Sequence, residues 1–130
     1  MSAKYVSLYK AAKEAGYAAG RAAVPVPMVV GSPKSFLGSD LDPNKPMYYV
    51  PDGACGFAWV KVSPGNSKFA NWLKKRGYAR PAYGGGVDIW ISDYNQSVAR
   101  KEAHAYAMAR VLSEGLADER VRIYAGSRLD

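Results

Sequence analysis

Two short segments of the chain alternate hydrophobic and polar positions with a period of two, which is typical of β-strands. The first runs from Cys55 to Ser63 and is rich in aromatic and β-branched residues, so we expect it at the centre of a sheet. In the second, from Val87 to Ser92, the aliphatic side chains share one face and Trp90 lies on the other. Trp90 is therefore expected to point away from the aliphatic face of its strand.

Three further segments have the composition and the end signals of helices. The first, Ser2–Ala23, is dominated by alanine and is followed by prolines, which end a helix. A second helix is predicted from a cap at residue 66 or 67 to Arg76. The third extends to Glu114, and Ser97 is expected to cap its start.

Small residues follow one another at a spacing of four in the first helix, at Ala12, Gly16 and Gly20. They leave one helix face with little more than backbone, so another element or another chain can approach it closely. Two glycines inside a helix cost stability, and the pattern therefore favours a packing role. Arg21 follows at the helix end, where a cation suits the helix dipole.

The remaining segments complete the predicted architecture. Residues 24–54 are rich in proline, glycine, aspartate and serine and are expected to form an ordered loop with short extended pieces at Met28–Val30 and Met47–Val50. A last strand is predicted at Val121–Ala125, and the third helix is expected to cross over between two parallel neighbouring strands. The sequence thus predicts one α+β domain, in which about three helices pack with a mixed or antiparallel sheet of four or five strands. The first helix (1–23) and the loop (24–54) would precede a core at 55–130.

The stretch from Tyr83 to Lys101 is the strongest candidate for a ligand site. Its consecutive glycines, Gly84–Gly86, let the backbone come close to a ligand. The polar residues Asn95–Ser97 precede a helix whose unpaired N–H groups favour phosphate. Arg100 and Lys101 lie in the first helical turn, where cations oppose the helix dipole and suggest a negative group nearby.

Charge and composition narrow the class of ligand. The chain has 18 lysines and arginines against 11 acidic residues, a formal net charge of +7, together with 10 tyrosines and 3 tryptophans. A basic, aromatic surface suits nucleotides or nucleic acid, although charge that only keeps the protein soluble is an open alternative. No apolar run approaches the roughly 20 residues of a membrane span, and the first residues lack a signal-peptide core. A soluble, cytoplasmic protein is therefore expected.

Catalytic and metal-binding patterns are weak in this chain. No Ser–His–Asp set has a recognisable spacing, and Asp88 and Asp93 flank one strand without converging. The single cysteine, Cys55, lies in an apolar run and is expected to be a buried, inert thiol. The single histidine, His104, has no second histidine or cysteine to complete a zinc site. We therefore expect no enzymatic activity, no cofactor and no metal.

Several groups of residues form a recognisable set along the chain. They are GFAWV at 56–60, Ser67 with Phe69 and the run Trp72–Lys75, YGGGVxIW at 83–90, YNQS at 94–97, KEA at 101–103 and SRLD at 127–130. Together they resemble small phage-encoded proteins of the first anti-Thoeris sponge family. The similarity runs from the prolines at 25–27 to the C-terminus, which is most of the chain.

The resemblance implies a protein that performs no chemistry. Members sequester the cyclic nucleotide signals of bacterial immune systems, namely glycocyclic ADP-ribose isomers and, in some members, cyclic di- and trinucleotides. They would thereby inhibit Thoeris and CBASS defence in the cytoplasm of the infected bacterial host. Members are dimers that assemble further into hexamers, as trimers of dimers, and their pockets form between subunits.

The resemblance also implies positions for the ligand site. It assigns Arg21, Tyr83, Tyr94, Asn95, Arg128 and Asp130 to the pockets. With the residues of the glycine-rich stretch and its surroundings, the full candidate set is Arg21, Met28, Tyr83, Gly84, Gly85, Trp90, Tyr94, Asn95, Gln96, Ser97, Arg100, Arg128 and Asp130.

Two other functions stay open. A nucleic-acid-binding protein is supported by the charge and by the basic run Lys74–Arg80, and its affinity for long DNA or RNA would fall steeply with salt. A small nucleotide hydrolase would return its ligand changed, whereas a sponge would return it intact.

Overall fold

The computed structural model describes residues 2–25, 28–31, 47–50, 53–94 and 97–129. In chain order its elements are helix α1 (Ser2–Ala22), strands β1 (Met28–Gly31), β2 (Met47–Val50) and β3 (Gly56–Ser63), helix α2 (Lys68–Lys75), strands β4 (Arg80–Pro81) and β5 (Val87–Trp90), helix α3 (Val98–Gly115) and strand β6 (Arg122–Leu129). The predicted α+β class is confirmed, with three helices and a four-stranded antiparallel sheet among the described residues.

The four-stranded sheet has the order β4-β5-β3-β6, and all its neighbouring strands are antiparallel. Strand β3 pairs with β5 on one side and with β6 on the other, as expected for a central strand. Strands β1 and β2 form a separate antiparallel pair. The short extended pieces predicted within the loop are therefore confirmed as strands.

The predicted crossover is wrong in one respect. Helix α3 does connect two strands of the same direction, because β5 and β6 are both antiparallel to β3. These strands are not neighbours, however, since β3 lies between them. Strand β6 also continues beyond the predicted Ala125 to Leu129, because it pairs with β3 along its whole length, from Ser63↔Arg122 to Gly56↔Leu129.

Helices α2 and α3 begin at the serines that the sequence indicates. The Ser67 hydroxyl accepts a hydrogen bond from the Ala70 amide at 3.3 Å, and that of Ser97 accepts one from the Arg100 amide at 3.4 Å. Each cap satisfies an N–H group that the helix itself leaves unpaired.

Helix α3 packs on one face of the sheet and α1 packs against α3. The inward side chains of β3, Ala58, Val60 and Val62, are fully buried beneath this helical layer. The face of α1 that carries Ala12, Gly16 and Gly20 contacts α3. A β-carbon at Gly16 would lie 2.6 Å from the His104 ring, and one at Gly20 would meet the Tyr94 hydroxyl. The predicted packing role of these glycines is confirmed within the chain itself.

The other face of the sheet differs from the helical one. Its side chains in β3 are half-buried, and Trp90 of β5 and Tyr124 of β6 are 45% and 47% exposed. The alternation of strand side chains thus separates an apolar inner face from an aromatic, charged outer face. No helix in the described ranges is long and apolar enough to cross a membrane.

Candidate functional site

The sheet surface opposite α3 gathers aromatic and cationic side chains from four strands. Residues directly opposite each other on paired strands share a face, so the register defines this surface, here called the open face. Its members are Phe57, Trp59 and Lys61 of β3, Arg80 of β4, Asp88 and Trp90 of β5, and Arg122, Tyr124, Gly126 and Arg128 of β6.

Three of the four aromatic rings of the open face form a cluster. The indole rings of Trp59 and Trp90, which pair across β3 and β5, have centroids 5.0 Å apart, and the Phe57 ring meets Trp90 edge-on at 6.3 Å. On the other side, Trp59 lies against Gly126, where a β-carbon would stand 2.7 Å from the indole nitrogen. Because Gly126 has no side chain, the indole of Trp59 can pack directly against the backbone of β6.

Arginines on β6 lie over the aromatic rings of the open face. The guanidinium of Arg128 is 5.1 Å from the Phe57 centroid, and that of Arg122 is 6.0 Å from the Tyr124 centroid. Both arginines are exposed, so the charged groups stay available to a ligand. Arg80 and Lys61 add two more cations, which makes the face strongly positive. Such a surface attracts anions and offers flat apolar rings beside them.

One acid, Asp88, lies within this cationic set. Its Oδ1 atom is buried and accepts no hydrogen bond from any described residue. Burial raises the pKa of the Asp88 carboxyl, and the charge of Lys61 opposes this effect. Asp88 lines a hollow of about 360 Å³, together with Arg80, Trp90 and other residues.

Two of the predicted site residues, Trp90 and Arg128, lie on the open face, and the Phe57 ring contacts both of them. Arg21 is exposed at the end of α1, outside the open face. Met28 lies in β1, and its backbone alone is described. Asn95, Gln96 and Asp130 lie outside the described residues.

The predicted glycines form the turn between β4 and β5. Gly84 and Gly85 have φ angles of 93° and 109°, which favour glycine, and a Cβ on either would meet nothing within 4 Å. The turn is closed by hydrogen bonds from the Gly85 amide to the Ala82 carbonyl and from the Ala82 amide to the Gly86 carbonyl. Tyr83, in the same turn, is fully exposed. The hairpin itself thus accounts for the glycines.

Tyr94 belongs to the packing of α1 against α3. Its hydroxyl lies 2.8 Å from Nδ1 of His104, which is itself buried, and against Gly20. Tyr94 also has a φ of 69°, an unusual conformation for a residue other than glycine. The structure therefore does not bring Tyr83 and Tyr94 together, in line with their predicted positions at opposite ends of the strand.

The cations in the first turn of α3 have partners within the chain. Arg100 Nη1 donates to the carbonyl oxygens of Gly20 and Arg21, at 3.1 and 3.2 Å, at the C-terminal end of α1. The buried Lys101 Nζ donates to the Gly56 carbonyl at 3.3 Å. The partial negative charge of these carbonyls accounts for both cations, so the expected anion at this helix start loses its support.

Cys55 was expected to be buried, and this expectation is wrong. The residue is exposed and forms an isolated backbone bridge with Ser97. The inward positions of β3 begin at Gly56 and continue at Ala58, so alternation places Cys55 on the outward side.

The basic run Lys74–Arg80 is divided between two surfaces. The guanidinium of Arg76 lies 5.0 Å from the Trp72 ring on the helical side, whereas Arg80 belongs to the open face. Lys74 and Lys75 end α2, where cations complement the helix dipole. The run is therefore not one continuous basic patch.

Sequence reasoning did not single out most of the open face. The open-face residues outside the predicted ligand set are Phe57, Trp59, Lys61, Arg80, Asp88, Arg122 and Tyr124. Of these, the sequence indicates Arg80 only as part of the basic run and Asp88 only as an acid without a partner. The sequence does contain a signal for this surface. On the outward face of each strand, aromatic and charged residues take the place of the small polar residues that are expected there. Joining these outward residues into one surface requires the order and register of the strands.

Within the described ranges, no group of three or more histidine, cysteine, aspartate or glutamate side chains could hold a metal ion. Comparison of the chain with protein-family models, with curated proteins and with solved structures gave no significant match. The function of the open face is accordingly inferred from its own residues.

Proposed function

We propose that the protein binds a nucleotide-type ligand on the open face and holds it without chemical change. The observation that carries this proposal is the combination of exposed aromatic rings and four cations on one sheet surface. Bases stack on aromatic faces, and arginine forms charge-assisted, often bidentate, hydrogen bonds with phosphates. A ligand with both a base and a phosphate uses both features.

Trp90 and Arg128 are the central residues of this proposed site. Trp90 contacts Trp59 on one side, yet 45% of it remains exposed and free to stack on a base. The guanidinium of Arg128 lies over the Phe57 ring, and the residue is exposed, so the charged group is held at the surface of the sheet. A base on Trp90 would place its phosphates toward the cations of β6.

Within this ligand class we propose cyclic nucleotide signals of bacterial immunity, following the resemblance to the anti-Thoeris sponges. Glycocyclic ADP-ribose isomers and cyclic di- and trinucleotides combine bases with several negative charges, as the open face requires. The protein would then act in the cytoplasm of an infected bacterium and lower the free concentration of the signal. Following the same resemblance, the protein would assemble as a dimer, or as a hexamer built from three dimers.

The proposal is tested by calorimetric titration of the protein with glycocyclic ADP-ribose and with cyclic di- and trinucleotides. Binding without turnover predicts heat on mixing, and release of the intact ligand after denaturation of the protein. Trp90→Ala and Arg128→Ala should weaken binding. Tyr106→Ala and Arg110→Ala, which alter exposed residues of α3 outside the open face, serve as matched controls. No heat with any ligand, or recovery of a cleaved ligand, would contradict the proposal.

Single-stranded nucleic acid is the second candidate ligand. It is favoured by one observation, namely that the rings and cations extend across β5, β3 and β6, as a surface that receives successive bases would. The two ligands differ in salt dependence. The affinity for an oligonucleotide should fall as the salt concentration rises, and the fall should be steeper the more phosphates the protein contacts. The affinity for a small cyclic ligand should depend only weakly on the salt concentration.

A further inference from the structure

The two edges of the four-stranded sheet differ in how they are protected. At one edge, β4 is only two residues long and ends in Pro81, which has no N–H group to offer a further strand. At the other edge, β6 has eight residues and contains neither proline nor lysine. No described strand pairs with the side of β6 that faces away from β3. A long edge strand without such protection is a template for pairing with another chain.

The backbone groups on this outer side of β6 belong to alternate residues. The Ile91 amide donates to the Ala58 carbonyl, so Ala58 turns its backbone groups toward β5. By alternation, the odd-numbered residues of β3 bond to β6, and their partners there are the even-numbered residues. The odd-numbered residues of β6 therefore direct their N–H and C=O groups away from β3. In line with this, the Ile123 carbonyl accepts a hydrogen bond from the Ser113 hydroxyl of α3, at 3.1 Å.

Two large side chains of β6 are also exposed. Leu129 is 69% exposed and Tyr124 is 47% exposed. They lie on opposite faces of the sheet, since Leu129 pairs with Gly56 on the helical side and Tyr124 pairs with Lys61 on the open face. A strand added beside β6 would cover both side chains at once.

We propose that β6 pairs with the β6 strand of a second copy of the chain, antiparallel and with Gly126 opposite the partner's Gly126. In this register Tyr124 lies opposite the partner's Arg128, and Leu129 lies opposite the partner's Ile123. The first pair joins a ring and a guanidinium on the open face, and the second joins two apolar side chains on the helical side. The outward backbone groups of the two strands meet as well. The inference assigns a surface to the proposed dimer and does not depend on which ligand the open face binds.

The two adjacent registers fit the residues of β6 less well. With Ala125 at the centre, Arg122 would lie opposite the partner's Arg128 at both ends of the paired segment. Like charges directly opposite each other destabilise a sheet. With Ser127 at the centre, the paired segment would shrink from residues 123–129 to residues 125–129. The charges and the length of β6 thus favour a second copy in the register centred on Gly126.

This pairing would extend the open face across the two copies. The two-fold axis of an antiparallel strand pair is perpendicular to the sheet, so both open faces would lie on the same side. Arg122, Tyr124 and Arg128 of each copy would surround the axis, where the two Gly126 residues leave the backbone bare. The partner would therefore contribute cations and an aromatic ring to the same surface.

The mass of the ligand-free protein in solution is the first test. Light scattering after size-exclusion chromatography should give twice the chain mass of 14.1 kDa. Ala125→Pro removes an outward N–H group and should give the monomer mass, because an edge strand tolerates proline where its N–H faces solvent. Ala125→Ser keeps the N–H group and should stay dimeric. A monomeric wild type would overturn the proposal, and so would a dimeric Ala125→Pro protein.

Disulfide cross-linking tests the register and does not require the proline variant to fold. Tyr124→Cys and Arg128→Cys are made separately in a Cys55→Ser background, because Cys55 is exposed. In the proposed register, positions 124 and 128 of different copies have Cα atoms about 4.5 Å apart, within the reach of a disulfide. Two copies of the same variant would hold their thiols four residues apart along the strands, about 13 Å, which is beyond that reach.

Oxidised glutathione should therefore give a covalent dimer when the two variants are co-expressed, and none with either variant alone. No cross-link in the co-expressed pair, or a cross-link in either variant alone, would overturn the register. The ligand proposal fails separately. A monomeric protein that binds a cyclic nucleotide would overturn the β6 interface alone, whereas a cross-linked dimer that binds none would overturn the ligand proposal alone.

Discussion

The indole rings of Trp59 and Trp90 lie 5.0 Å apart across the ladder between β3 and β5, at an interplanar angle of 47°. Such a pair stabilises a sheet, typically by about 0.5–1.5 kcal/mol beyond the area it buries. Nearly half of Trp90 nevertheless remains exposed, on the same face as the cations of β6, which lie across β3 from it. Large apolar groups exposed together in this way mark surfaces that bind a partner or a ligand.

Removing the Trp90 ring should impair binding more than folding. Stacking on an aromatic side chain contributes about 1–3 kcal/mol per base, so Trp90→Ala should weaken a nucleotide ligand by roughly tenfold to a hundredfold. Titration calorimetry measures the affinity, and a urea melt checks stability. Tyr106→Ala removes an exposed ring of α3 outside the open face, and it should bind as the wild type does. Equal losses in both variants would remove Trp90 from the site.

Arg128 should contribute charge and geometry together. Hydrogen bonds to charged groups are worth about 1.5–3 kcal/mol, so Arg128→Ala should weaken a phosphorylated ligand by about tenfold to a hundredfold. Arg128→Lys keeps the positive charge and loses the paired N–H donors of the guanidinium. Its affinity for the ligand should lie between that of the wild type and that of Arg128→Ala. Arg110→Ala removes an exposed arginine that pairs with Glu114 on α3, and it controls for net charge. An Arg128→Ala protein with wild-type affinity would refute this role.

The contact between α1 and α3 should not tolerate a methyl group. At Gly16, a β-carbon would lie 2.6 Å from the His104 ring and 2.9 Å from Met108 Cγ. We expect Gly16→Ala to destabilise the protein by about 1–3 kcal/mol through overpacking, although alanine is the better helix former by about 1 kcal/mol. Chemical denaturation measures the change.

Ala18 lies on the exposed side of the same helix and provides the matched control. Ala18→Gly should cost only the difference in helix propensity, about 1 kcal/mol. A Gly16→Ala protein that is more stable than the wild type would show that α1 does not approach α3 as closely as described.

The stability of the protein should decrease in mild acid through His104. Burial lowers the pKa of His104 below its ordinary value of 6.5, with Asp93 raising it and Lys13 lowering it further. Below pH 6.5 the unfolded chain therefore binds a proton that the folded protein resists. Stability present above pH 6.5 is lost as the pH falls from 6.5 toward the lowered pKa.

A single histidine changes the free energy of unfolding by at most about 1.4 kcal/mol per pH unit. A change of this size is measurable from denaturation midpoints between pH 5 and 7. His104→Gln should flatten the profile in this window, whatever its effect on stability at neutral pH. A profile that keeps its slope in the variant would assign the acid sensitivity to other groups.

Local features of the fold could be predicted from the sequence. Ser67 and Ser97 cap their helices because a serine hydroxyl before an amphipathic segment satisfies the first N–H groups, a signal contained within a few residues. The contact face of α1 could also be predicted, since the spacing of Gly16 and Gly20 determines which side of the helix comes close to a neighbour.

Non-local features could not be predicted in the same way. The position of β6 beside β3 depends on pairing between residues about 65 apart in the chain, as in Val60↔Ala125. This pairing places Arg128 beside Phe57 and Gly126 beneath Trp59, and no local pattern encodes it. The glycines after Tyr83 predict a close approach to a ligand, but they form a hairpin turn, because a hairpin turn and a phosphate loop both require positive φ angles.

The indole N–H signals of the three tryptophans test the central claim most directly. Trp59 and Trp90 lie on the open face, whereas Trp72 packs against Tyr9 and Phe69 on the helical side, with its indole nitrogen buried. In a ¹H–¹⁵N spectrum recorded during titration with a cyclic dinucleotide or glycocyclic ADP-ribose, the Trp59 and Trp90 signals should shift in a saturable way and that of Trp72 should stay in place. The ligand should be recovered unchanged. No shift with either ligand, or a shift confined to Trp72, would contradict the assignment of the open face as a nucleotide-binding surface.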